Sequence, residues 1–173
     1  MKILRHLQTK SSKPLTAKIW LVLAFLLLAN FAQAQDRGFG IGIILGEPTG
    51  ISAKSWLGPS SALDFALAWS FERYDSFTLH ADYLKHNFRL IKVDEGALPF
   101  YYGIGGRIKL KEDEPSRSNN DDTRLGVRVP VGLGYHFENV TLDTFIEIVP
   151  ILELVPSTDF TMSAAIGIRY FFK

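Results

Sequence analysis

From Leu125 to Phe137 every second residue is apolar: Leu125, Val127, Val129, Val131, Leu133, Tyr135 and Phe137. The intervening set is Arg124, Gly126, Arg128, Pro130, Gly132, Gly134 and His136. A helix repeats about every 3.6 residues and a strand every 2, so only a strand keeps these sets on opposite faces. The pattern predicts one long strand over Arg124–Phe137, and the same period recurs along the chain. Phe39, Ile41, Ile43 and Leu45 alternate with glycines, and Ile51, Ala53 and Leu57 oppose Ser52, Lys54 and Trp56. Leu63, Phe65, Leu67, Trp69 and Phe71 oppose Asp64, Ala66, Ala68 and Ser70, and Phe77, Leu79, Ala81 and Tyr83 oppose Thr78, His80 and Asp82. A fifth strand carries Phe100, Tyr102, Ile104, Ile108 and Leu110 against Tyr101, Gly103, Gly105, Arg107 and Lys109. Beyond the Arg124–Phe137 strand, Leu142, Ile146, Ile148, Leu152 and Leu154 oppose Asp143, Glu147 and Glu153. Phe160, Met162, Ala164, Ile166, Ile168, Tyr170 and Phe172 mark the last strand.

Eight such strands joined by turns predict an all-β fold, an eight-stranded antiparallel up-and-down barrel, because closure removes unpaired edges. A soluble barrel would bury its apolar face and show solvent a surface rich in Lys, Glu, Gln and Asn. Here the polar face is mostly Gly, Ala, Ser and Thr with scattered charges, and the apolar face carries no charge in any of the eight segments. Small residues suit a narrow interior. A charge-free face suits lipid, where Arg or Lys near mid-bilayer costs about 2–4 kcal/mol. The sequence therefore predicts a transmembrane β-barrel with its apolar face outward. With the strand termini in the periplasm, Phe39, Phe65, Tyr83, Phe100, Tyr102, Tyr135, Phe137, Tyr170 and Phe172 form an aromatic girdle at that rim. Trp69, Phe71, Phe77 and Phe160 fall near the other rim.

The amino-terminal segment reads differently. Lys2, Arg5, Lys10, Lys13 and Lys18 precede the apolar run Ile19–Ala29, and Ala32-Gln33-Ala34 follows as a small-x-small site. This is the pattern of a cleaved signal peptide over residues 1–34, with residues 35–173 as the barrel. Those five basic residues account for the positive charge of the whole: residues 35–173 hold 14 basic against 18 acidic side chains. No nucleic-acid partner is expected from that balance. The chain contains no cysteine, so backbone pairing and packing carry its stability.

The inward parity gathers Lys54, Arg107, Lys109, Arg128 and Arg169 with Asp64, Glu72, Asp82, Glu147 and Glu153, and places His80 and His136 among them. Unpaired charges in a narrow interior are costly, so the balanced set predicts an ion-pair network filling the lumen. Arg107 or Arg128 is expected to meet Glu147. A narrow ion pathway is the alternative, and a wide porin channel is not expected, since side chains can fill an eight-stranded interior. A second alternative is a lipid-modifying enzyme using His80, Asp82 and Ser70 or Ser163, although these point into the lumen and not toward lipid. No catalytic residue, cofactor or metal is expected. The acidic loop Glu112–Thr123 matches no calcium-loop spacing, and the glycines around Ile104 lie mid-strand with no following helix to form a nucleotide site. Residues 85–98 predict either an extended hairpin or an ordered turn. Pro130 and Pro150 each remove a ladder donor and predict a bulge or irregular pairing.

The ending Gly167-Ile168-Arg169-Tyr170-Phe171-Phe172 resembles the C-terminal assembly signal of the small eight-stranded outer-membrane barrels of Gram-negative bacteria, the OmpA/OmpX-like class. It departs in closing on Lys173 and in carrying Ala165. The strings GEPTGISAKSWL, HADYL and PFYYGIGGR also resemble a poorly characterised family of small bacterial barrels. The resemblance implies a monomer in the cell outer membrane, surrounded by outer-membrane lipid and inserted by the barrel-assembly machinery. It implies no catalytic residues.

Overall fold

Strict alternation allows each segment to lie in a sheet with one face turned away from the interior. The computed structural model describes residues 38–47, 49–70, 76–111 and 123–172. The expected signal peptide, Phe71, Glu72 and residues 112–122 of the acidic loop lie outside these ranges. Among the described residues there are nine strands: β1 (Phe39–Gly46), β2 (Thr49–Trp56), β3 (Ser61–Ser70), β4 (Ser76–Asn87), β5 (Phe100–Lys111), β6 (Thr123–Arg128), β7 (Val131–His136), β8 (Leu142–Val155) and β9 (Asp159–Phe172). Each pairs antiparallel with its neighbour, and β1 pairs with β9, so the sheet closes on itself.

Nine strands make eight staves because β6 and β7 share one. The single strand expected over Arg124–Phe137 is interrupted at Val129 and Pro130. The cause is the missing proline N–H. The register is untouched: Gly105↔Arg128 and Tyr102↔Val131 keep one alignment on β5, as Arg128↔Ile151 and Val131↔Ile148 do on β8. Gly103 N still donates to Pro130 O at 2.9 Å, and Val129 N to Pro150 O at 3.0 Å. The bulge falls elsewhere. Leu125 faces Val155 while Gly126 faces Glu153, which leaves Leu154 as the extra residue.

One register row gives the stagger of the barrel. From Gly40 it passes through Lys54, Asp64, Asp82, Gly105, Arg128 and Ile151 to Thr161 on β9. Across the closing seam, however, Gly40 faces Phe171, ten residues further along β9 than Thr161. Such an offset requires strands tilted by roughly 35–45° to the barrel axis.

The apolar parity faces outward. Ile43, Ile104, Ile146, Ile148, Met162 and Ile166 are exposed, whereas Lys54, Asp64, His80, Asp82, Arg128 and Arg169 are buried. Ile44, Ala66, Leu84, Tyr101, Phe145 and Ala165 form a small apolar cluster inside. The aromatics of the expected girdle lie at the end holding Phe39 and Phe172, several as pairs two residues apart on the outer surface. Tyr135 and Phe137 meet edge to face at 4.8 Å, Tyr170 and Phe172 at 5.3 Å, and Phe100 and Tyr102 at 6.3 Å. Phe39 and Tyr83 are exposed there and Phe65 is half-buried.

Residues 85–98 do both things the sequence allowed. Strand β4 continues to Asn87, and after a turn the chain returns beside β7, with Ala97 and His136 exchanging backbone hydrogen bonds of 3.0 and 2.8 Å. Gly134 N donates to Pro99 O at 2.9 Å in the same run.

Candidate functional site

The site is the lumen, and its plan follows from the register. Large polar side chains on staves two apart meet over a glycine on the stave between them. Asp82, Gly105 and Arg128 share a row, and the Arg128 Nε lies 3.0 Å from Asp82 Oδ2. Tyr101, Gly132 and Glu147 share another, and Tyr101 Oη donates to Glu147 Oε2 at 3.1 Å. Arg107, Gly126 and Glu153 form the third, with Arg107 Nη2 donating to Glu153 Oε1. Ser52, Gly42 and Arg169 form the fourth, with Arg169 Nε donating to Ser52 Oγ at 2.8 Å. A side chain at the middle position would block the crossing. At Gly132 a Cβ would stand 2.6 Å from the Tyr101 ring, and at Gly105 it would run into the Asp82 carboxylate.

These crossings join into one network. Arg128 reaches both Asp82 and Glu147, the latter by a 3.2 Å bond from Nη2 to Oε1. Arg169 lies 2.6 Å from Asp64 Oδ1 and 3.9 Å from Asp143 Oδ1, and its guanidinium stacks 3.8 Å over the Phe145 ring. Lys54 Nζ lies 3.8 Å from Asp143 Oδ2 and about as near to Trp56 as to Tyr101, 5.2 and 5.4 Å from the ring centres. At the end away from the termini, Glu153 also accepts from Arg124 Nη1 at 3.2 Å. Lys109 is half-buried on the same face of β5. Of the two arginines expected near Glu147, Arg128 takes that position and Arg107 turns to Glu153. Glu72 lies outside the described residues.

Four participants were not in the sequence-derived set. Asp143 joins Arg169 to Lys54, Arg124 shares Glu153, Tyr101 tethers Glu147, and Ser52 accepts from Arg169. Asp143 and Arg124 carry the inward parity, so the alternation contained the signal. Tyr101 was legible only as an inward aromatic.

Toward the strand termini the lumen holds a cluster of rings. His86 packs 4.5 Å from Trp56 and 5.3 Å from Tyr101, and Phe88 meets both His86 and His136. Beyond them lies a cavity of about 800 Å³, lined by Trp56, His136, Asp143, Phe171 and the 94–97 and 137–142 segments. Among the described residues neither ring nitrogen of His80 has a hydrogen-bond partner, and its Nε2 stands 3.9 Å from Asp82 Oδ2.

A closed antiparallel ring of eight staves, apolar outside and polar within, defines an outer-membrane-type β-barrel. A solved structure shares that fold. The N-terminal β-barrel domain of Pseudomonas aeruginosa OprF superimposes with a TM-score of 0.62 at 14% identity, over 79% of this chain and 98% of that one. Neisserial surface protein A matches with a TM-score of 0.48 at 13% identity, over 78% of this chain and 93% of its own. No protein-family model matches the sequence, and no curated protein matches it significantly.

Proposed function

We propose that the chain is an integral, monomeric outer-membrane barrel with a structural or surface-interaction role, non-enzymatic, whose lumen is plugged by its ion-pair network. The observation that carries this reading is the set of glycine-saddled crossings. They join Asp82 to Arg128 and Glu153 to Arg107 across the narrow interior, and with Lys54, Arg124, Arg169, Asp64, Asp143 and Glu147 the ion pairs set five basic against five acidic side chains, which leaves the lipid face to aliphatic and aromatic side chains. The alternation supports insertion in outer-membrane lipid, and the C-terminal aromatic pattern supports delivery by the barrel-assembly machinery.

A narrow channel is the second reading, favoured by the cavity that opens from the terminal end as far as Asp143. Planar-bilayer recording separates the two. A plugged barrel gives no resolvable steps in wild-type protein. A channel gives steps whose size or ion selectivity changes with Glu147→Gln or Arg107→Ala. Gel mobility with and without heating tests the membrane-barrel premise itself: the unheated folded form is expected to migrate differently from the boiled one, and recovery in a detergent-free periplasmic extract would contradict it.

A further inference from the structure

Asp64 on β3 and Asp82 on β4 are direct cross-strand partners, and His80 projects into the lumen two residues before Asp82. Like charges directly opposite one another repel unless a cation serves both. The arginines do not do this jointly, since Arg128 pairs with Asp82 and Arg169 with Asp64. One ligand atom from each of Asp64, His80 and Asp82 lies within 4.8 Å of the others, and all three residues are buried. His80 faces Ala66 on β3 and Arg107 on β5. His80 is 1% exposed, yet both its ring nitrogens lack a hydrogen-bond partner, and so does Asp82 Oδ1. Asp64 Oδ1 meets Arg169 as an ion pair without hydrogen-bond alignment. Unsatisfied buried polar atoms are costly. Finding them converged on one point is the mark of a site for a further group.

We propose that Asp64, His80 and Asp82 form a divalent transition-metal site of the zinc class inside the barrel, with water at the remaining position. One imidazole and two carboxylates, with no sulfur, suit Zn²⁺ or its Co²⁺ surrogate and exclude a soft monovalent copper site. Zinc bonds to nitrogen and oxygen of about 2.0–2.2 Å place tetrahedral ligand atoms roughly 3.5 Å apart. Binding draws the three ligand atoms, now within 4.8 Å of one another, to that spacing. The ion bridges the two opposed carboxylates and gives a ligand bond to His80, whose Nε2 stands 3.9 Å from Asp82 Oδ2 without a hydrogen bond. The cavity at the terminal end reaches Asp143, which Arg169 links to Asp64.

The test is titration of folded, detergent-solubilised protein with Co²⁺ alone, followed by competition with Zn²⁺. Saturation at one Co²⁺ per chain is expected, with visible absorption of a low-coordinate site that Zn²⁺ removes. His80→Ala and His80→Gln, each checked for folding by heat-dependent gel mobility, lose the band. His86→Ala retains it. X-ray absorption on the Zn²⁺-loaded wild type reads the site without any variant, and one imidazole among oxygen ligands is expected. Absence of saturable binding, retention of the band in folded His80→Ala, or a shell with no imidazole or with two or more overturns the proposal.

Discussion

Asp82 and Arg128 stand on staves two apart and meet at 3.0 Å across Gly105. Their contact exists because the residue between them has no side chain. Gly105→Val drives two methyl groups into the Asp82 carboxylate and the facing backbone. It is expected to cost at least about 1–3 kcal/mol, the range for overpacking. At Gly126 a Cβ meets its nearest atom at 3.1 Å, so Gly126→Ala should be distinctly milder. Urea midpoints of the folded-to-unfolded gel shift in detergent compare the two.

Arg128 serves two buried carboxylates, Asp82 and Glu147. Arg128→Ala strands both and is expected to cost about 3–5 kcal/mol. Arg124 shares Glu153 with Arg107 and keeps about a third of its side chain exposed. Arg124→Ala should cost no more than about 1 kcal/mol. Equilibrium unfolding of both variants under one detergent condition checks the contrast.

Ile148 lies midway along β8 with its side chain outward, and its neighbour Glu147 points in. Ile148→Arg places a cation against lipid and is expected to lose about 2–4 kcal/mol in vesicles. Reversible unfolding from lipid bilayers measures it. An unchanged stability would mean that the outer face is wet.

Pro130 withholds one donor from the ladder to β5 without moving the register. Pro130→Ala supplies an N–H facing the Gly103 carbonyl. The added bond contributes about 0.5–1.5 kcal/mol, offset by about 0.4–1 kcal/mol of restored freedom in the unfolded chain. Stability should therefore change by less than about 1 kcal/mol, with a slowly exchanging amide appearing at position 130 in hydrogen-exchange NMR.

The staves and their facing were legible because alternation is a local property. Leu125 to Phe137 declares its outward side without reference to any other strand. The lumen partners were less legible. Which residues share a row depends on the ten-residue stagger of the closed sheet, a global quantity that no single segment encodes. A different stagger would present Glu147 to other arginines. Asp143 shows the inward parity in the sequence, but it stands one residue inside β8 beside a turn, and its role appears only when Arg169 and Lys54 arrive from β9 and β2. The 88–99 segment has no alternation, so its return beside β7 and the stacking of Phe88 on His86 and His136 left no trace in the pattern.

The account rests on a barrel turned inside out, and spin-label accessibility along β8 tests that most directly. The native chain contains no cysteine, so single cysteines can be introduced without background. In lipid vesicles, labels at the outward positions 146, 148 and 152 should collide freely with dissolved oxygen and little with a water-soluble paramagnetic reagent. Labels at the inward positions 145, 149 and 151 should be shielded from oxygen, giving a period of two. Reversed phases, or outward positions open to the water-soluble reagent, would contradict the lipid-facing assignment and with it the plugged polar lumen.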